Sequence, residues 1–265
     1  GGAYTTAILA GRYGLSGWLC LPIAAVSAGL IGVFFGLPSF RLKGFYIAVA
    51  SLAANYIIVW CITYFTDWTG GSGGMGVKPL TLGGMAFTSR TSIYFIAIIL
   101  VILGTYFAKN LQRMPIGRAF VAIRDNELAA EVGGISIFRY KTIAFFIGCM
   151  YAGVAGWLLA YSEFWVSPQQ FQISSSIWYF GMLAVGGLGS TTGVYLGVVM
   201  FKLLETLIDK VTPLVNVAQF SVAMSLIVYA VVILAFLIFQ PGGLYSLWQR
   251  FKTYYRLRPY SYRGG

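Results

Sequence analysis

Ionisable chemistry is scarce in this sequence. Seven carboxylates, eighteen lysines and arginines and no histidine are spread over 265 residues, of which 58% are hydrophobic. Without histidine the commonest general base and the commonest metal ligand are missing. Cys20, Cys61 and Cys149 lie far apart inside apolar runs and read as small core residues with no metal spacing. The densest charged cluster is Arg124-Asp125-Asn126-Glu127, with Glu131 one turn on. Lys202 and Glu205 stand three apart in an otherwise apolar stretch, the spacing of a pair on one helix face. The run Gly70-Gly71-Ser72-Gly73-Gly74-Met75-Gly76 lacks the Lys-Ser/Thr ending of a phosphate loop. No nucleophile–base pair or metal set emerges, so the reading is a non-enzyme that binds no cofactor.

The elements that hold these residues are hydrophobic. Only 9% of the chain is charged, against about 25% in a soluble domain. A membrane-crossing helix needs about 20 apolar residues. Four segments provide this without a charge: Trp18–Leu37, Phe45–Phe65, Thr142–Ala160 and Phe220–Phe239. Thr91–Ala108 is nearly as long, and Gly193–Ile208 is long enough with Lys202 and Glu205 inside it. Ser174–Leu188 is short and ends in Gly186-Gly187-Leu188-Gly189-Ser190. Gly1–Ala10 is apolar but too short to span, and it reads as the end of a helix whose start is absent. The expected fold is an all-α membrane protein, a polytopic bundle of about seven to eight apolar segments in one domain, 1–265. Small residues four apart (Ala28, Gly32, Gly36; Gly148, Ala152, Gly156; Gly193, Gly197) predict close helix packing.

Lys and Arg fix the orientation. If 109–141 is cytoplasmic, the inside carries Arg41, Lys43, Lys109, Arg113, Arg118, Arg124, Arg139, Lys141, Arg250, Lys252, Arg256, Arg258 and Arg263. The outside carries Arg12, Lys78, Arg90 and Lys210. The basic tail 241–265 is then cytoplasmic, and attraction to anionic lipid accounts for the +11 charge without nucleic acid.

Within 109–141, residues Gly117 to Val132 are expected to form one helix. Pro115 and Gly117 open it and Gly133-Gly134 close it. Arg124, Glu127 and Glu131 then share a face beside an apolar stripe of Val121, Leu128 and Val132. Such a helix rests on lipid or inserts into a partner's groove. The break at Gly186, Gly187, Gly189 and Ser190 is either a simple turn or an irregular backbone lining a substrate path. Asn55, in mid-span, makes an interhelical hydrogen bond or lines that path. The 70–76 loop is a flexible connection with φ > 0 glycines, or a docking surface flanked by Asp67, Trp68 and Lys78.

The stretch GRAFVAIRDNELAAEVGGISIFRYK (117–141) resembles the cytoplasmic coupling segment of ABC importer permeases for branched-chain amino acids. Glu127-Leu128-Ala129-Ala130, followed by Gly134, matches that family's Glu-Ala-Ala motif. GLPSFRLKGFYIAVASLA (36–53), WTGGSGGMGV (68–77), GMLAVGGLGSTTGVYLGVVMF (181–201) and FQPGGLYSLW (239–248) resemble its LivM-type branch. The likeness covers nearly the whole chain in order. One departure is a helical region that the family carries before Gly2-Ala3-Tyr4-Thr5.

The resemblance implies a multi-pass inner-membrane permease, bacterial or archaeal, with a cytoplasmic C-terminus. It would pair with a LivH-like permease, two cytoplasmic ATPases and a periplasmic binding protein. Arg124, Asp125, Asn126, Glu127, Ala130, Glu131 and Gly134 would couple to an ATPase. The cargo would be branched-chain amino acids. Urea, short amides and aromatic acids are the alternative cargoes, and a self-contained channel or secondary transporter is the alternative class.

Overall fold

The computed structural model describes residues 1–39, 45–82, 85–87, 89–187, 189–211 and 243–257, with isolated positions between 230 and 238. Phe220–Phe239 therefore lies almost wholly outside the described residues, as do Arg41, Lys43, Arg258 and Arg263. The chain divides into two compact units, Gly1–Ile173 and Ser174–Gly265.

In the first unit the helices are α1 (Gly2–Gly11), α2 (Gly17–Ser39), α3 (Phe45–Tyr64), the single turn α4 (Thr66–Thr69), α5 (Arg90–Arg113), α6 (Pro115–Asp125), α7 (Glu127–Val132) and α8 (Ile137–Glu163). Three of them, α2, α5 and α8, are each long and apolar enough to cross a membrane. α3 with the turns after it, bent by 87°, counts as a fourth if taken as one broken span. A bent pair in the second unit makes a fifth. The sequence reading of seven to eight segments thus meets three to five among the described residues.

The packing is built on small residues. A Cβ added to Gly153 of α8 would stand 2.6 Å from the Ala24 carbonyl oxygen and 2.8 Å from the Ala28 methyl of α2. One added to Gly156 would stand 2.8 Å from the Ala3 nitrogen of α1, so α1 and α2 both seat on α8. Gly32 faces Cys149 with no room for a methyl. The expected stripe Gly148, Ala152, Gly156 is corrected in one respect: Gly148 faces open space, and Gly153 supplies the contact. Steps of three and four alternate along a real helix face, so a strict four-residue rule drifts off it.

Large rings fill what the glycines leave. Trp157 is fully buried and donates its indole N–H to the Gly17 carbonyl at 2.8 Å. The rings of Trp18 and Tyr161 lie 6.0 and 5.0 Å from it. Around them pack Ala3, Tyr4, Ala7, Cys20, Ala24, Leu80, Ala160 and Val166. Cys20 is a buried small residue of this core, as its apolar surroundings predict.

The short strands are absent from the sequence reading. β1 (Met75–Gly76) pairs antiparallel with β4 (Trp165–Val166), in register Met75↔Val166 and Gly76↔Trp165. β2 (Leu80–Leu82) and β3 (Met85–Phe87) form a hairpin, Leu80↔Phe87 to Leu82↔Met85. Two- and three-residue ladders carry no readable alternation, and here they satisfy backbone groups between helices.

The second unit contains α9 (Ile173–Gly186), α10 (Thr191–Val211) and α11 (Gly243–Leu257). α9 and α10 form a pair bent by 116° at the glycine break. Met182, Val185 and Phe201 make its core, with Trp178, Leu204 and Leu244 packed against them.

Candidate functional site

The charged segment after α5 folds as an elbow of two helices. Met114 is extended (φ −73°, ψ 162°) and ends α5, and Pro115 starts α6 where a missing N–H costs nothing. Gly117 lies against α5: an added Cβ would meet the Leu111 carbonyl oxygen and stand 2.5 Å from the Gln112 Cα. Gly117 is thus required for a close crossing as well as for a helix start. Ala119 and Ile123 complete the buried face of α6.

The single helix expected over Gly117–Val132 is broken at Asn126, whose backbone is extended (φ −159°, ψ 109°). Its side-chain oxygen accepts a hydrogen bond from the Ala129 N–H at 3.1 Å and caps α7. Asn competes with the helix for its own backbone and favours such caps, which outweighs the helix propensity of the alanines around it. The break undoes the common face of Arg124, Glu127 and Glu131. Arg124 instead pairs with Asp125 at 3.0 Å. Glu127 pairs with Lys141 of α8 at 2.6 Å. α7 ends as expected at Gly133-Gly134. Gly134 takes φ +82°, and the N–H groups of Gly134 and Ile135 bond back to the carbonyls of Glu131 and Ala130.

What this elbow presents outward is mixed in character. Leu128 is 75% and Val132 91% exposed, beside exposed Asp125, Glu127 and Glu131. Ala130 is buried and seats α7, so among the expected coupling residues it alone faces inward. Between α6 and the first turns of α8 lies a cleft of about 350 Å³. Phe120, Ile123 and Ala144 line it together with Arg124–Glu127 and Lys141. Phe120 and Tyr140 meet edge to face at 6.3 Å across it. The sequence reading missed Lys141, Phe120 and Tyr140 as members of this site. Their contacts join residues 14 and 20 positions apart, which local periodicity does not register.

At the opposite end of α8 the structure is held by backbone. Gly70, Gly71 and Gly74 adopt positive φ (72°, 60° and 81°), as the glycine run predicts. The loop is an ordered one, however. The β1–β4 ladder, the Trp165 indole donating to the Gly73 carbonyl at 3.1 Å, and the buried Thr69 hydroxyl donating to the Phe65 carbonyl at 2.8 Å all fix it. Arg12 donates to the Asp67 carbonyl at 2.9 Å, and its guanidinium lies 4.8 Å over the Trp68 ring. Asp67, Trp68 and Lys78 are all exposed. Close by, the start of α5 and the end of α8 enclose a cleft of about 540 Å³, lined by Arg90, Glu163, Tyr94, Leu158 and Leu159.

The glycine break in the second unit is filled by backbone. Cβ atoms on Gly186 or Gly197 would collide with the facing helix, and Gly243 (φ +64°) stands so that an added Cβ would be 2.5 Å from the Gly187 nitrogen. Ser190 caps α10 by accepting from the Gly193 N–H at 3.0 Å. Lys202 and Glu205 pair at 2.6 Å, as their spacing predicts. Asn55, in the first unit, donates its amide to the Phe171 carbonyl at 3.5 Å, the inter-element hydrogen bond of its two readings. Among the described residues, no group of three metal-ligating side chains comes together.

The family described as "Branched-chain amino acid transport system / permease component" matches residues 1–237. The chain is 35% identical over 224 residues to the high-affinity branched-chain amino acid transport system permease protein LivM of Escherichia coli K12. That alignment covers 75% of this chain and 52% of the relative, so the chain spans about half of that relative's length. A probable LivM permease of Methanocaldococcus jannaschii is 26% identical over 85% of this chain and 67% of its own length. The same archaeon's probable LivH permease is 24% identical over 78% of this chain and 68% of its own. No solved structure matches. A helical chain with three to five apolar spans among its described residues, matched over most of its length by this one family, belongs to the branched-chain amino acid transport system permease components.

Proposed function

We propose that this chain is the membrane-spanning part of an ATP-driven importer for branched-chain amino acids, with ATP hydrolysis on two separate cytoplasmic ATPases. The observation that carries this reading is the α6–α7 elbow. It exposes a mixed acidic and apolar surface while close backbone contact ties it to α5 and a salt bridge ties it to α8. A push on α7 is thereby delivered to two membrane-length helices. Arg124, Asp125, Asn126, Glu127, Glu131 and Gly134 form the docking surface, and buried Ala130 transmits the load.

The outer cap around Asp67, Trp68 and Lys78 receives a periplasmic binding protein. A LivH-like permease completes the translocation path, to which the Gly186–Ser190 break contributes. The chain resides in the inner membrane with its basic C-terminal segment in the cytoplasm, where Lys and Arg concentrate.

The test is Glu127→Lys in the full-length protein. Leucine uptake and substrate-stimulated ATPase activity are expected to fall at least tenfold, with membrane insertion unchanged. Retained uptake and stimulation would remove the docking role of the elbow. Purification from mild detergent is expected to recover two ATPases and a second permease. Recovery of this chain alone as a stable homo-oligomer would favour a channel or secondary transporter.

A further inference from the structure

The C-terminal helix α11 is anchored at one end and exposes its apolar side chains along the rest. Leu244 sits against the Met182–Val185–Phe201 core, and Gly243 backs onto Gly186-Gly187. Beyond this first turn Leu247, Trp248, Phe251 and Tyr254 are exposed, from 44% at Leu247 to 62% at Tyr254. At about 100° per residue, these four and Leu244 fall within an arc of roughly 120°. Lys252 borders the arc on one side and Arg250 on the other. The fifteen residues also include Arg256 and contain no acid. At about 1.5 Å per residue the helix is roughly 22 Å long, too short and too polar to cross about 30 Å of hydrocarbon.

We propose that α11 lies in the plane of an anionic lipid leaflet. Its apolar arc is immersed at the acyl boundary, and Arg250 and Lys252 sit at the level of the phosphates. Three features select lipid over a protein groove. Cations flank the arc on both sides, no carboxylate is present to answer a partner's cations, and the arc carries Trp and Tyr, the side chains that favour the membrane interface. The anchor at Leu244 and Gly243 sets the depth at which the helix emerges from its core. This inference needs only that the chain resides in a membrane. It does not depend on which solute is carried or on where the ATPases dock.

The test places a nitroxide at Leu247→Cys on the arc or Thr253→Cys opposite it, in the full-length protein with Cys61 and Cys149 replaced by Ala. The protein is held in nanodiscs of phosphatidylcholine, with or without a phosphatidylglycerol fraction. With phosphatidylglycerol, position 247 is expected to collide preferentially with oxygen and position 253 with a water-soluble nickel chelate. Reversing Arg250 or Lys252 to Glu is expected to lower the equilibrium constant for immersion about fivefold for each of the two units of charge changed. Equal access of the nickel chelate to both positions would overturn the proposal. So would an arc shielded from both reagents in either lipid, because that pattern marks a protein interface. Immersion that ignores both lipid charge and charge reversal would overturn the anionic preference.

Discussion

Helix α8 ends in two differently made structures. At its N-terminal end the elbow is joined by side chains: Glu127 to Lys141, Phe120 against Tyr140, and an Asn cap between two helices. At its C-terminal end the cap is joined mostly by backbone: a two-residue ladder, three glycines at positive φ and carbonyls that accept from Trp165, Thr69 and Arg12. Backbone joints are stiff and specify glycine. Side-chain joints leave carboxylates and apolar groups facing outward, where a partner can compete for them. One end is built to hold its shape, and the other leaves charged and apolar groups exposed.

The sharpest way to break this contrast is Gly74→Val. A side chain there faces both the positive φ and the Val166–Ser167 backbone, with Ser167 Cα at 3.0 Å. A loss of about 2–5 kcal/mol is expected, read as a lower melting temperature and new proteolysis in the 66–89 loop. The elbow should keep its hydrogen-exchange protection, and loss of that protection would mean the two ends are not independent. Next in size is Gly117→Ala. Wedging α6 off α5 is expected to cost about 1–3 kcal/mol and to raise exchange in α6 while the glycine-rich cap at the other end of α8 is unaffected. An unchanged exchange pattern would show that the α5–α6 crossing relaxes freely. The smallest effect belongs to the Glu127–Lys141 pair. A double-mutant cycle with Glu127→Ala and Lys141→Ala is expected to give at most about 1 kcal/mol, shrinking in high salt. A coupling of several kcal/mol would make the elbow as rigid as the cap.

Much of this architecture is legible in the residues. Trp18–Leu37 became α2, and Thr142–Ala160 became the heart of α8, because long uncharged runs have few other ways to satisfy their backbone. The Gly133-Gly134 stop and the Lys202–Glu205 pair also follow from local spacing. The break at Asn126 was present as a residue type but was masked by the helix-favouring alanines after it. Gly153 was passed over because a fixed step of four selects Gly148. The tie from Glu127 to Lys141 and the β1–β4 ladder were out of reach. Each joins segments whose proximity is set by the packing of α5 to α8, which no local window contains. Residues 212–229, and with them most of Phe220–Phe239, lie outside what the structure describes.

The β1–β4 ladder also imposes an order on biosynthesis. Trp165 and its partner Gly73 are 92 residues apart, with α5, α6, α7 and α8 made between them. At about 5–20 residues per second, the 70–76 loop waits for several seconds after synthesis before its strand partner emerges. During that interval its glycines have no ladder to join, while α2 and α3 are already available for insertion. The cap is therefore among the last parts of the first unit to close. A nascent chain halted before Trp165 should carry a 70–76 loop that proteases cut, and extension past Val166 should seal it.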